Sequence, residues 1–68
     1  MKVNINGEEK QFAEQMTLDE LLKNLELPVA RIAVELNQTV VRRTAWDKTI
    51  IKENDKIEIV HFVGGGFE

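Results

Sequence analysis

The sequence predicts an α+β fold, a mixed β-sheet curled over one main helix in the order β-β-α-β-β-β. Three observations lead there. Both ends of the chain alternate apolar and polar residues as half-buried strands do: Met1, Val3 and Ile5 against Lys2, Asn4 and Asn6, then Ile57 and Ile59 against Lys56 and Glu58. Between them one segment carries a clear helical period, with Leu18, Leu21, Leu22 and Leu25 on one stripe. A single apolar stripe is covered by a single sheet face, and the alternation of the strands fits a sheet packed on one side.

The first strand starts at the first residue. Asn6-Gly7 then forms the favoured two-residue type I′ turn, because both residues tolerate positive φ. A second strand is expected at about Glu9–Ala13, with Phe12 as its inward anchor. Thr17-Leu18-Asp19-Glu20 reads as a capping box, in which the Thr17 hydroxyl accepts from the Glu20 N–H and the Glu20 carboxylate accepts from the Thr17 N–H. Pro28 is expected to stop the helix and to push Leu27 extended.

A third strand places Ile32, Val34 and Leu36 on one face. Asn37-Gln38 is a weaker turn signal than Asn6-Gly7, and Val40-Val41 returns from it. Arg42 to Ile51 has no clean period and reads as irregular, with one helical turn at most. Glu53-Asn54-Asp55-Lys56 is turn-like, since Asn54 accepts left-handed geometry at low cost. The last strand is expected from about Lys56 to Val63. The economical arrangement of these elements is the β-grasp, with residues 1–63 as the domain and residues 64–68 as a flexible glycine tail.

Sixty-eight residues make one small domain, and 43% hydrophobic with 31% charged residues is a globular composition. There is no cysteine, so disulfides and thiolate metal sites are excluded. That usage is compatible with the cytoplasm, the expected location. No signal peptide is visible, and no run approaches the roughly 20 apolar residues of a membrane span. A net charge of −3 disfavours nucleic acid as a partner, because binding it requires cations that displace phosphate counterions.

Function is expected at the end of the chain, where Gly64-Gly65-Gly66 follows directly on the apolar run Ile57-Glu58-Ile59-Val60-His61-Phe62-Val63. Three glycines span only roughly 10 Å when extended, which suits delivery of an end into a neighbouring protein better than linking two domains. A glycine carboxylate has no Cβ to shield its carbonyl carbon from a nucleophile. It is inert until one oxygen becomes part of a good leaving group, as adenylation by ATP achieves. The chain has neither G-x-x-x-x-G-K-[ST] nor a G-x-G-x-x-G opening a helix, so activation is left to a partner enzyme.

The body offers no catalytic constellation. His61, the single histidine, falls by strand parity with Ile57 and Ile59 on the face expected inward, where a lone histidine is ordinarily structural. No Ser or Cys accompanies it as a nucleophile, and no second His or Cys as a metal ligand. Glu8-Glu9, Asp19-Glu20 and Asp55 sit at turns and a helix start, as solvated or capping groups do. Arg42, Arg43 and Lys48 beside Trp46 read as a solvated edge with Trp46 covering one end of the core. Val60 and Phe62 fall on the opposite face from Ile57 and Ile59. Exposed apolar residues beside the tail mark a docking surface, the alternative being that Phe62 folds over the sheet edge.

Val3-Asn4-Ile5-Asn6-Gly7-Glu8, Thr17-Leu18-x-Glu20-Leu21-Leu22, Ile32-Ala33-Val34-Glu35-Leu36-Asn37, Val40-Val41-x-Arg43 with Trp46, and the run from Asp55 to Gly66 together resemble the ThiS family. These are ubiquitin-like sulfur carriers of thiamine (thiazole) biosynthesis. The resemblance covers almost the whole chain and implies a β-grasp fold and a carrier that catalyses nothing itself. It implies that a ThiF-type adenylyltransferase activates the glycine carboxylate with ATP and magnesium, neither held by this chain. A sulfur donor, such as a cysteine desulfurase persulfide, would make the thiocarboxylate, and thiazole synthase would take the sulfur. The functional positions carried over are Gly65 and Gly66, with Gly64 as spacer.

One departure stands out: members of the family usually end at the glycine, and this chain continues with Phe67-Glu68. With that extension the Gly66 carboxyl is an amide and cannot be adenylated. Trimming after Gly66, an appended pair of residues and a carrier serving another pathway are the three readings. Rivals to the thiamine assignment are a MoaD-like carrier for molybdopterin synthesis and a ubiquitin-like binding or modifier module. Trp46 and Glu35-x-Asn37 look more like the thiamine branch.

Overall fold

In a computed structural model, which describes residues 1–62, the elements run β1 (Lys2–Ile5), β2 (Glu8–Gln11), α1 (Leu18–Asn24), β3 (Ile32–Leu36), β4 (Thr39–Val41) and β5 (Lys56–His61). Short 3₁₀ turns occupy Val29–Arg31 and Arg43–Lys48. The five strands form one mixed sheet in the order β2-β1-β5-β3-β4. β5 lies at its centre, parallel to β1 and antiparallel to β3. One helix packs on one face, so the fold is the expected β-grasp.

The alternation read from the sequence becomes the core. Val3, Ile5, Ile32, Val34, Ile57 and Ile59 point from three strands, β1, β3 and β5, toward Leu18, Leu21 and Leu22 of α1, and all nine are buried. Each such side chain contributes about 1.5–3 kcal/mol relative to exposure. Leu25, the fourth residue of the helical stripe, is partly buried against the same cluster. β2 is shorter than expected and exposed along its length. Phe12 lies one residue beyond it and packs on the core, and its N–H donates to the Met1 carbonyl (2.8 Å).

The capping box forms as read: the Glu20 N–H donates to Thr17 Oγ1 (3.1 Å), and the Thr17 N–H donates to Glu20 Oε1 (2.9 Å). The end of α1 corrects the expectation. Pro28 does not stop the helix; Glu26 does, by entering the left-handed region at φ 58°. Its N–H donates to the Lys23 carbonyl (3.0 Å) and that of Leu27 to the Leu22 carbonyl (3.4 Å). These are the two bonds of a Schellman motif, formed here without the usual glycine. Pro28 instead opens the next 3₁₀ turn.

Both hairpins close on two-residue turns with positive φ throughout, at Asn6 (51°) and Gly7 (86°), then at Asn37 (51°) and Gln38 (71°). The segment without a period, Arg43–Lys48, is a six-residue 3₁₀ helix that drops Trp46 into the core. The Trp46 indole N–H donates to the Val41 carbonyl (3.0 Å), which satisfies its one polar atom. The chain then clips onto the start of α1 through Leu18 N–H to Thr49 O (2.8 Å) and Ile51 N–H to Met16 O (2.9 Å). β5 ends at His61, two residues before its expected end, and Val63 and the tail boundary lie outside the described residues.

A left-handed glutamate is strained where glycine is not, while glycine costs more chain entropy. Glu26→Gly is therefore expected to stabilise the protein by about 0.5–1 kcal/mol, raising its melting temperature by roughly 2–8 °C. Urea and thermal unfolding read this directly, and a loss of stability would mean that the Glu26 side chain compensates its own strain.

Candidate functional site

The tail-bearing end of β5 is built from the sheet register. The Asn37 N–H donates to the Lys56 carbonyl (2.7 Å), and the Phe62 N–H donates to the Arg31 carbonyl (2.9 Å). Hydrogen-bonding edges alternate along a strand, so Lys56, Glu58, Val60 and Phe62 aim their backbone groups at β3. Ile57, Ile59 and His61 aim theirs at β1. β1 reaches only to Ile5, which lies opposite Ile57, and the Asn6 N–H donates to the Ile57 carbonyl (2.8 Å). Beyond that the main chain turns away, and the Asn6 side chain takes over. Its Oδ1 accepts from the Ile59 N–H (2.7 Å) and its Nδ2 donates to the Ile59 carbonyl (3.3 Å).

The outer face of this end carries the expected docking residues. Val60 is 58% exposed and pairs across the sheet with Ala33. Next along the strands, Glu58 stands directly opposite Glu35, which pairs on its other side with Val40, 67% exposed. Two like charges face to face destabilise a sheet, and among the described residues neither glutamate lies in an ion pair. The patch is thus apolar side chains around a doubly acidic centre. Phe62 differs from Val60: it is half-buried, so it serves the sheet edge as well as the surface.

His61 corrects the expectation that it is a partly buried residue of the inner face; it is exposed. The parity was right, but α1 does not reach that far. Seven helical residues cover about 10 Å, whereas six strand residues extend about 20 Å. Past the end of α1 a groove of about 220 Å³ remains open beside His61. Ile5, Leu25, Leu27 and Ile59 line it, with Lys10 and Glu8 on the rim.

The remaining candidates resolve as structural. Asp55 accepts from Asn37 Nδ2 (3.0 Å) and from the Lys52 N–H (2.7 Å), which holds the turn before β5. Asp19 pairs with Lys23 one helical turn on (3.1 Å). Trp46 covers the end of the core, with the exposed Arg43 guanidinium 5.9 Å from its ring centre. Among the described residues no group of His, Asp and Glu is arranged to hold a metal ion, and no helix is long and apolar enough to cross a membrane. Gly64, Gly65 and Gly66, the expected reactive positions, lie outside the described residues. The Asn6 side-chain contact was missed in the sequence, where Asn6 reads only as a turn residue. Its partner lies 53 residues away, and only the register of the sheet brings the two together.

Comparison with known proteins agrees with this architecture. Residues 3–66 match the ThiS family. The thiazole synthases of Paramagnetospirillum magneticum and Magnetococcus marinus are each 41% identical over 66 residues. That stretch is 97% of this chain but only 20% of either relative, so the chain spans a fifth of their length. The sulfur carrier protein ThiS of Escherichia coli is 32% identical over 66 residues, covering 97% of this chain and 100% of that one. The crystal structure of the thiamine biosynthesis protein ThiS from Geobacter metallireducens superposes with a TM-score of 0.86 at 36% identity, covering 97% of this chain and 100% of the other. With the family matched over nearly the whole chain and a full-length relative above 30% identity, this chain belongs to the ThiS family.

Proposed function

We propose that this chain is the sulfur carrier of a thiazole-forming step in thiamine biosynthesis, with the carboxylate of Gly66 as its working group. The observation that carries the reading is the family match, which runs through all three glycines and stops at Gly66, two residues before Phe67-Glu68 end the sequence. A ThiF-type enzyme binds ATP and magnesium and brings the α-phosphorus to the Gly66 carboxylate. The carboxylate oxygen attacks phosphorus and pyrophosphate leaves. Hydrosulfide then attacks the acyl carbon and AMP leaves, giving the thiocarboxylate; a persulfide donor would first give an acyl disulfide, which a second thiol reduces to the thiocarboxylate. Glycine at this position leaves the carbonyl open on both faces. The carrier contributes a rigid body and a surface; the bond-making groups belong to its partners. Thiazole synthase as acceptor is supported by the two relatives of that name, which contain a stretch like this chain within a longer polypeptide.

Adenylation requires a free Gly66 carboxylate, so the proposal requires a working form that ends at Gly66. Incubating the chain ended at Gly66 with ATP, magnesium, a ThiF-type enzyme and hydrosulfide is expected to raise its intact mass by the exchange of one oxygen for one sulfur. The full chain treated alike is expected to stay unchanged. Sulfur incorporation into the untrimmed chain, or none into the trimmed chain with an enzyme active on its own carrier, would overturn the proposal.

Docking is assigned to the outer sheet face around Val60, with Phe62 at its edge. Phe62→Ala mixes docking with packing, so Val60 is the cleaner probe. Val60→Asp is expected to cost about 1 kcal/mol, since Asp is depleted in strands, so docking is assayed well below the melting temperature. The same substitution is expected to raise the KM of the activating enzyme for the carrier several-fold. An unchanged KM would remove this face from the docking surface.

A further inference from the structure

We infer that Asn6 is a positioning residue for the acyl end of the carrier: its side chain acts as one more residue of β1 and aims the tail-bearing end of β5. The inference rests on the proposed carrier function. A carboxamide presents a donor and an acceptor in one plane, as a peptide unit does. Here both are used, on the N–H and the carbonyl of the same residue, Ile59. Without them Ile59 has β3 on one side of its strand and no main-chain partner on the other, because the chain reverses at Asn6 and Gly7. Ile59 lies three residues before Phe62, the last residue the structure describes.

The turn alone does not require this side chain. A type I′ turn accepts Gly or Asp at its first position as readily as Asn. Of the three, Asn alone carries both the donor and the acceptor that Ile59 uses. The residue that closes the first hairpin thus also sets where the chain leaves the body. β3 still holds Val60 and, through the Arg31 carbonyl, Phe62, so loss of the Asn6 bonds leaves β5 in place but supported on one edge only from Ile59 onward, a loss of aim at the strand end. That loss falls on kcat, because the docking face is untouched.

The substitutions are made in the chain ended at Gly66. Asn6→Gly keeps positive φ and removes both side-chain bonds, while Asn6→Asp keeps only the acceptor. ATP–pyrophosphate exchange with a ThiF-type enzyme, run well below the melting temperature, gives kcat and KM, and amide hydrogen exchange followed by NMR reads Ile59 directly. Asn6→Gly is expected to lower kcat at unchanged KM and to speed exchange at Ile59 while Val34 stays protected. Asn6→Asp, which carries the comparison should Asn6→Gly fold poorly, is expected to fall between Asn6→Gly and wild type. A kcat equal to wild type in both variants overturns the positioning role even if Ile59 exchanges faster, and so does a change confined to KM. Failure of the unsubstituted Gly66-ended chain to support exchange would instead sink the carrier function itself.

Discussion

The structure depends on the pairing of one strand. β5 is central, and its neighbours arrive from opposite directions in the sequence: β1 from the start of the chain, parallel, and β3 from the middle, antiparallel. A central strand must have both edges satisfied, since an unpaired buried backbone group costs as much as a lost hydrogen bond. Neither neighbour covers β5 completely. At its start, the Lys56 N–H donates to Asn37 Oδ1 (3.0 Å), from the tip of the β3–β4 hairpin. At Ile59 the amide of Asn6 does the same from the tip of the β1–β2 hairpin. Two asparagines at equivalent turn positions therefore complete the strand that leads to the tail. The loop before β5 adds to this through Asn54 N–H to Lys2 O (2.7 Å) and Asn4 N–H to Asp55 O (2.9 Å), which fix where the parallel pairing begins.

Around that strand the core is thin, and each element does more than one job. The 3₁₀ segment Arg43–Lys48 supplies Trp46 to one end of the core and then leads into the bonds that hold Thr49 and Ile51 against the start of α1. The helix itself is only seven residues long, too short to be stable in isolation. Its capping box, its Schellman ending and its three buried leucines make it a product of the sheet it covers. The short helix also explains the polarity of the molecule, because it leaves the inner face near His61 open and thus leaves the tail-bearing end of β5 uncrowded.

Much of this was legible in the sequence because the signals were local. Alternation set the faces of β1, β3 and β5; Thr17 and Glu20 set the start of the helix; Asn6-Gly7 set the first hairpin. What could not be read was whatever depended on distance or on lengths in space. Nothing in Glu26 announces a left-handed cap, since glutamate is a good helix former and the left-handed position ordinarily takes glycine or asparagine. The parity of His61 was correct and its burial was not, because parity gives a face and says nothing about how far the helix extends over it. The contact of Asn6 with Ile59 and the opposition of Glu35 and Glu58 follow from register, which no single strand encodes. Of the expected site, Gly64, Gly65 and Gly66 lie outside the described residues, whereas the exposed face beside the strand end was legible in outline, through Val60 and Phe62.

The Glu35–Glu58 pair bears on what the outer face is for. Two carboxylates directly opposed across an antiparallel pair lower stability, and replacing either with a neutral residue would relieve that at once. Strand preference does not call for them either, since glutamate is among the residues depleted in strands. The two exposed valines beside them, Val40 and Val60, equally contribute little to the folded monomer. All four residues therefore weaken or are neutral to the isolated domain while forming one continuous surface next to the chain's exit. Under the proposed carrier function, such a surface is one that partner enzymes grip and then release. Apolar contacts supply area, and a charged centre makes the grip dependent on a cationic counterpart and quick to form. The stability that this face gives up is supplied by the opposite one, where the asparagine-completed strand and the leucines of α1 pack.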